Sequence, residues 1–240
     1  MTLPPEDLIV NAESDLALLR LLHLADTALP IGSLAHSFGV ESLVAQGLLT
    51  PKNLHEFLCG FLQEAGLVEA VFCRHGFALA SPKWSAELWL ELNEELSARK
   101  VARESRAGSA SLGRNFLSAV NMLGEFPTLQ AALISSKQAV GLIHHAPAFG
   151  LAGGTLGFDE NTAVLAFLHQ SASSLISSFQ RLLPLGQSAA TRLLWELKPT
   201  LLDTAKRSLN RSLDDAYSFM PLLDGGAMEH PALTTRLFVS

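Results

Sequence analysis

The chain has 240 residues, of which 48% are hydrophobic and only 17% are charged, against roughly 25% charged in an average soluble domain. Part of its apolar surface is therefore expected to face partners, although a large core under a Ser- and Gly-rich exterior would explain the same numbers. The net charge of −6, without clustered Lys and Arg, argues against nucleic-acid binding. Cys59 and Cys73 are too few and too far apart for a disulfide framework, which indicates free thiols in a reducing compartment.

We expect a cytoplasmic protein without membrane spans. Residues 1–14 contain neither the basic flank nor the apolar core of a signal peptide. Residues 138–158 lack Asp, Glu, Lys and Arg and are long enough in principle to cross a bilayer. However, they contain Pro147, the adjacent His144 and His145, and several glycines, which favours an irregular stretch that is buried or faces a partner.

Helical periodicity begins near the N-terminus. Residues 1–13 are acidic and contain proline, and we expect them to be flexible. Ser14 can cap a first helix that ends before Pro30. The break at Pro30 is followed by Ser33, which can cap a second helix that continues to Gly47.

Two further helices are predicted to begin with a capping hydroxyl followed by proline, whose missing N–H costs nothing at the first helical position. Thr50-Pro51 precedes apolar residues at helical spacing over 54–68. Ser81-Pro82 precedes a helix with one apolar face over 84–96. A shorter apolar repeat over 112–123 predicts another helix.

The second half of the chain also favours helices. Asp159 can cap a long helix that runs to Pro184, and two more are expected over 187–197 and 200–222. Residues 224–226, Asp-Gly-Gly, are predicted to form a flexible joint before the C-terminal tail.

These patterns predict an all-α protein with a single-domain helical bundle of about eight to ten helices. No alternating pattern, internal repeat or linker contradicts this interpretation. The predicted organisation is a flexible segment 1–13, a helical domain 14–223 and a partner-docking tail 224–240.

Four separated segments carry the candidate functional residues: 29–41, 103–106, 181–187 and 228–240. Each also has a plain structural explanation. Phe38 suits a core position, and 103–106, at the end of a helix, suit a solvated face. Arg181 in the last turn of a helix is favoured by the helix dipole. The tail has Leu237 and Phe238 after a Gly-Gly joint, which suggests a segment that folds on a partner.

None of the four segments contains a complete catalytic constellation or a nucleotide-binding motif. An unrelated helical enzyme would have to unite Ser33 or Ser37 with His36, and no acid is positioned by the sequence to complete that set. The pair His144-His145 would point about 100° apart on a helix and would not chelate one ion. For His36, as for the histidine of the tail, an interface role is favoured over transient nickel passage.

In order and spacing the four segments resemble the UreF family of urease accessory proteins. The first segment matches a P-x-[GS]-x-[FYL]-x-[HY]-S-x-G-[LV]-E-like pattern, with Leu34 where many relatives have an aromatic. The resemblance runs roughly from Leu16 to Ser240. It implies an all-helical homodimer, without catalytic activity or a firmly bound cofactor, that forms a platform between UreD (also called UreH) and the nickel-carrying GTPase UreG. The assembled complex would deliver nickel to apo-urease.

The resemblance also implies which side chains contact partners. They are His36, Ser37, Phe38, Glu41, Arg103, Glu104, Arg106, Arg181, Gln187, His230, Arg236, Leu237 and Phe238. One alternative makes the protein an activator or regulator of the GTPase, with Arg181 stabilising charge on the transferring phosphoryl group. For Arg181 a docking contact is favoured over this arginine-finger role.

Overall fold

The computed structural model describes residues 5–80 and 84–239, with side chains from residue 14. Every regular element in these ranges is helical, which confirms the all-α prediction. None of the described helices combines the length and apolar character needed to span a bilayer. The α-helices are α1 Pro5–Leu24, α2 Val40–Ala45, α3 Leu54–Phe61, α4 Leu67–Ala78, α5 Ala86–Arg99, α6 Arg103–Asn121, α7 Pro127–Gln138, α8 His145–Thr155, α9 Glu160–Leu182, α10 Gln187–Glu196, α11 Lys198–Ser208 and α12 Pro221–Glu229.

Helix α8 lies at the centre of the bundle, packed against α4, α6 and α9. Its residues from Ala146 to Gly153 are all buried. A Cβ atom built on Gly150 would lie 1.8 Å from the carbonyl oxygen of Cys73, and one on Gly76 would lie 2.3 Å from that of Pro147. The backbones of α4 and α8 therefore touch, and only glycine fits at these positions. The prediction of an irregular, buried or partner-facing stretch over 138–158 was wrong for 145–155, which are helical, because these glycines serve close packing instead of breaking the helix; burial of this part is confirmed.

Several predicted helix starts are displaced. Helix α1 begins at Pro5, so Ser14 lies inside a helix and is not its cap; residues 1–4 of the segment predicted to be flexible lie outside the described residues. The predicted Ser81-Pro82 cap also lies outside them. Helix α5 is instead capped by Ser85, whose hydroxyl accepts a hydrogen bond from the Leu88 N–H at 3.2 Å.

Residues around Thr50-Pro51 form a turn instead of the first helical turn. The Thr50 N–H donates to Oδ1 of Asn53 at 2.8 Å, and the Asn53 amide donates to the carbonyl of Leu48 at 2.9 Å. Helix α3 begins after this turn, at Leu54. It continues through a π-helical segment, Leu62–Gly66, into α4, so the predicted helix over 54–68 is confirmed and extended.

The prediction for the second half was accurate where a cap was recognisable. The carboxylate of Asp159 accepts a hydrogen bond from the Thr162 N–H at 2.8 Å and caps α9 as predicted. Helix α6 is longer than expected and begins at Arg103, so residues 103–106 start a helix instead of ending one. Helix α7 was not predicted.

The predicted helix over 200–222 ends at Ser208, and the chain then forms a loop before α12. Arg99 on α5 fixes this loop, because its guanidinium donates to the carbonyls of Leu213 and Ala216, both at 2.8 Å. These contacts stabilise the loop conformation that replaces the expected helix.

The Gly225-Gly226 pair does not form a flexible joint, because both glycines lie inside α12. This helix packs on α2 and α6. A Cβ atom on Gly226 would lie 2.7 Å from the carbonyl oxygen of Gly39, and one on Gly39 would lie 2.7 Å from the Ala227 nitrogen. Gly39 also has φ +93°, which favours glycine. Helix α12, in which the predicted tail 224–240 begins, therefore packs closely on the first segment.

Candidate partner-binding site

A buried histidine joins three of the candidate segments. His230 is completely buried directly after α12, with Nε2 2.7 Å from Oε2 of Glu41 and Nδ1 2.7 Å from Oε2 of Glu104. Glu41 and Glu104 lie in the first turns of α2 and α6, where the helix dipole stabilises a negative charge. The two helix starts and the tail are thus held at one point.

Glu41, Glu104 and His230 form a trio in which each of the two N···O hydrogen bonds needs its own proton. Ionised carboxylates only accept hydrogen bonds, so an imidazole that bonds to both carboxylates needs a proton on each axis. Charge-assisted hydrogen bonds of this kind are stronger than neutral ones. Removal of one member of a buried charged set leaves an uncompensated charge and typically costs about 3–5 kcal/mol. The trio of Glu41, Glu104 and His230 therefore binds the tail strongly, and substitution of any one member is expected to be costly.

Glu41 also binds the backbone of the tail. Its Oε1 accepts a hydrogen bond from the Leu237 N–H at 2.6 Å, and its Oε2 accepts one from the Phe238 N–H at 3.3 Å. The next amide, that of Val239, donates to the carbonyl of Ala35 at 2.8 Å. The last described residues consequently lie along the first segment instead of extending into solvent.

Arg181, in the last turn of α9, closes the other side of the tail. Its guanidinium donates to the carbonyls of Leu34 at 2.6 Å and Leu237 at 3.1 Å. It also lies 4.2 Å from the centroid of the Phe238 ring, a cation–π contact. Phe238 itself is buried. We call Glu41, Glu104, Arg181, His230 and residues 237–239 the tail clasp.

The outer surface of the tail clasp is apolar with a cation beside it. Leu34 is 45% exposed, Leu237 55% and Val239 69%. Arg236, the residue before Leu237, is also exposed. The buried polar contacts thus fix the backbone, whereas the exposed side chains remain available for contact. We call the exposed side chains of Leu34, Arg236, Leu237 and Val239 the clasp rim.

The remaining residues of the first segment form the turn under the tail. Phe38 has φ +52°, and its ring centroid lies 5.8 Å from that of His36. Burial lowers the pKa of His36, which favours the neutral imidazole. Ser37 is fully buried, and within the described residues its hydroxyl has no hydrogen-bond partner.

Three other predicted residues do not take part in the tail clasp. Arg103 is exposed at the start of α6. Arg106 donates to the carbonyl of Lys100 at 2.7 Å, in the loop before α6. Gln187 is exposed and accepts a hydrogen bond from Gln180 at 2.8 Å.

Sequence reasoning missed the backbone acceptors of the tail clasp. The carbonyls of Leu34 and Ala35 bind Arg181 and the tail, respectively. A carbonyl carries no side-chain signal, so no residue pattern could have identified these two positions. The residue patterns found only the side chains that bind to them.

Two further histidines, the buried His144 and the partly buried His145, contact residues of the helical core. His144 contacts the hydroxyls of Ser97 at 2.6 Å and Ser109 at 3.1 Å, and burial lowers its pKa to about 3. His145 lies between the rings of Phe116 and Phe167, and burial lowers its pKa to about 4. Among the described residues no group of three or more His, Cys, Asp or Glu side chains could hold a metal ion.

Fold and site together define an all-helical protein that closes its C-terminal tail over its own N-terminal motif. Comparison with known proteins gives the family. The UreF family model matches residues 48–198, and the chain belongs to this family. The urease accessory protein UreF of Thermosynechococcus vestitus is 33% identical over 230 residues, covering 95% of this chain and 99% of that protein. The UreF proteins of Corynebacterium glutamicum, 33% identical over 92% of this chain and 96% of theirs, and of Nostoc sp., 31% identical over 92% and 95%, are similar.

Proposed function

We propose that this protein is a non-enzymatic scaffold of urease maturation. In this role a homodimer holds UreD (UreH) and the GTPase UreG together while nickel is delivered to apo-urease. Membership of the UreF family supports the proposal, since the related proteins are named urease accessory proteins. Nickel is then cargo of the assembled complex and not a resident cofactor of this chain.

The observation that carries the proposal is the meeting of all four candidate segments in the tail clasp. Glu41, Glu104, Arg181 and His230 come from four different segments. Glu41 and Arg181 bind the backbone of Leu237, and His230 joins Glu41 to Glu104. Such an arrangement fixes the backbone of the tail before a partner binds. The tail is then already ordered in the free protein, so a partner that contacts the clasp rim does not have to order it on binding. This preorganisation improves the affinity.

The apolar character of the clasp rim supports contact with a protein surface. Exposed leucine and valine side chains around a cation resemble the mixed apolar and Arg composition that is enriched at interfaces. A scaffold of this kind changes the state of a bound partner only through its differential affinity for the two states. We therefore propose that the clasp rim binds the assembled form of the accessory proteins more tightly than the separate ones.

Copurification with UreD and UreG tests this proposal. The variant Leu237→Asp changes an exposed side chain and leaves the backbone contact to Glu41 in place. We expect it to reduce recovery of the ternary complex by about tenfold, equivalent to about 1.4 kcal/mol. Leu48→Asp is the matched control, because Leu48 is similarly exposed, at 47%, and belongs to neither the tail clasp nor the clasp rim. Equal recovery of the two variants would refute a docking role for the clasp rim.

The alternative role, regulation of GTP hydrolysis through Arg181, makes a different prediction. An arginine finger has to reach the transferring phosphoryl group, but this guanidinium is engaged with two carbonyls and an aromatic ring of its own chain. These contacts favour a positioning role. In Arg181→Ala we expect binding of UreG and GTP turnover in the complex to fall together. Intact binding with a collapse of turnover would favour the finger.

A further inference from the structure

A second surface lies on different helices from the tail clasp. A groove with a volume of about 660 Å³ runs along the outer face of α5, beside the last turn of α4. Leu79 and Leu92 line its base, and Leu88, which is 51% exposed, lines it nearer the solvent. We call this feature the acidic groove, because Glu91 and Glu94 also line it.

One side of the acidic groove is fixed by a partly buried arginine, Arg99. Leu213, from the loop after α11, forms this side, and its carbonyl accepts a hydrogen bond from Arg99 at 2.8 Å. Arg99 also forms a 2.7 Å ion pair with Glu95 and lies 5.4 Å from the centroid of the Phe72 ring. This side is thus held by contacts within the protein, and the groove is preformed.

The charge of the acidic groove is left uncompensated. Arg99 is the partner of Glu95, whereas Glu91 and Glu94 form no ion pair within residues 5–80 and 84–239. Both glutamates are exposed. The groove therefore combines an apolar base with a negative edge, which is complementary to a segment that has apolar residues on one side and cations beside them.

We propose that the acidic groove binds a basic amphipathic helix of a partner protein. The stretch of α5 from Leu88 to Ala98 spans about 15 Å at a rise of about 1.5 Å per residue, which matches about three turns of a docked helix. Apolar anchors of such a helix would contact Leu88 and Leu92, and its Lys or Arg side chains would reach Glu91 and Glu94. A second copy of this chain is the alternative occupant, which the sedimentation measurement described below distinguishes from a basic partner helix.

A binding measurement with the full chain tests the proposal. The probe is a synthetic helical peptide of about 15 residues with Leu along one face and Lys on the other, and fluorescence anisotropy reports its binding. We expect saturable binding to the wild-type protein, and a loss of about tenfold or more in affinity in the double variant Glu91→Lys/Glu94→Lys. Leu88→Ser is expected to weaken binding even at high salt, because it removes an apolar contact.

The control is Glu87→Lys/Glu125→Lys, which changes the net charge equally at two exposed residues that do not line the groove. Retained binding in this control supports the proposal. Equal weakening in both double variants would show only general charge attraction and would overturn it, as would absence of binding to the wild type. Sedimentation of the same variants is the second readout. If the groove variant abolishes a self-association that the control retains, a second copy is the occupant and the proposal is wrong. Neither measurement uses UreD or UreG, so its outcome is independent of the scaffold role.

Discussion

The tail clasp and the packing of α8 join distant parts of the chain by different chemistry. At the tail clasp a few charged groups, Glu41, Glu104 and His230, meet at 2.7 Å between nitrogen and oxygen. At α8 the contact is between backbones, and Gly150 leaves no space for even one additional methyl group. The first arrangement can be broken by the loss of one side chain, whereas the second tolerates no added volume. The comparison indicates that the centre defines the fold and the clasp sets the position of the tail.

The largest expected effect is at the centre. Gly150→Ala places a Cβ atom 1.8 Å from the carbonyl oxygen of Cys73, so α4 and α8 must separate. We expect destabilisation of more than about 4 kcal/mol or failure to fold, measured by urea denaturation followed by circular dichroism. Gly60→Ala is the control, because its Cβ atom would meet nothing within 4 Å on helix α3. That change should stabilise the protein by about 0.4–1 kcal/mol. Similar stability of both variants would contradict the close packing described for α8.

The tail clasp should respond almost as strongly to the loss of its histidine. His230→Ala leaves Glu41 and Glu104 without their shared partner, and we expect a loss of about 3–5 kcal/mol in the free energy of unfolding. The exposed helical residue His23 provides the control, since His23→Ala should change stability by less than about 0.5 kcal/mol. If both substitutions are equally mild, the buried trio does not hold the tail.

Acid should weaken the centre through its neutral histidines. The pKa of His144 is lowered to about 3 and that of His145 to about 4, so below pH 6.5 the unfolded chain binds protons that the folded chain does not. These histidines cost no stability above about pH 6.5. Below it the free energy of unfolding falls, with a limiting slope of about 1.4 kcal/mol per pH unit for each histidine, down to about pH 4 for His145 and about pH 3 for His144.

The variant His145→Phe isolates one of these contributions, because Phe116 and Phe149 already surround this position with aromatic rings. Denaturation at a series of pH values should show a smaller slope for the variant than for the wild type. Identical slopes between pH 6.5 and 5 would exclude His145 as a source of acid sensitivity.

The smallest effect is expected on the outer side of the tail clasp. Arg181→Ala removes two hydrogen bonds to carbonyls and the contact with Phe238, but it leaves the buried trio intact. We expect a loss of about 1–2 kcal/mol, confined to the tail. Hydrogen exchange of the Leu237 and Val239 amides should accelerate, whereas amides of α8 should be unaffected. Uniform acceleration throughout the protein would show that Arg181 supports the whole fold.

Local signals in the sequence were enough to predict most of the helices. Asp159 and the apolar spacing of α9 encode that helix within one stretch of chain. The central helix α8 could not be predicted in this way, because glycine disfavours an isolated helix. The low helix propensity of its glycines is compensated by close packing of α8 against Gly76 and Cys73, which belong to α4. Tertiary packing decided the structure at this position.

The sequence pointed to residues that form the tail clasp, but it did not predict the contacts between them. The four segments contain Glu41, Glu104, Arg181 and His230, and the expectation was that these groups face other proteins. In the structure they bind one another and the tail. No local pattern encodes pairing between residues so far apart in the chain. The partner-binding role of the site therefore stays a prediction that concerns mainly the exposed clasp rim.

The hydrogen bond between the Val239 N–H and the Ala35 carbonyl has a practical consequence for expression of the protein. An affinity tag or fluorescent fusion added after Ser240 would begin two residues after Val239, which belongs to the surface proposed to receive partners. A bulky C-terminal fusion is thus expected to imitate a loss-of-function mutation while the helical bundle stays folded.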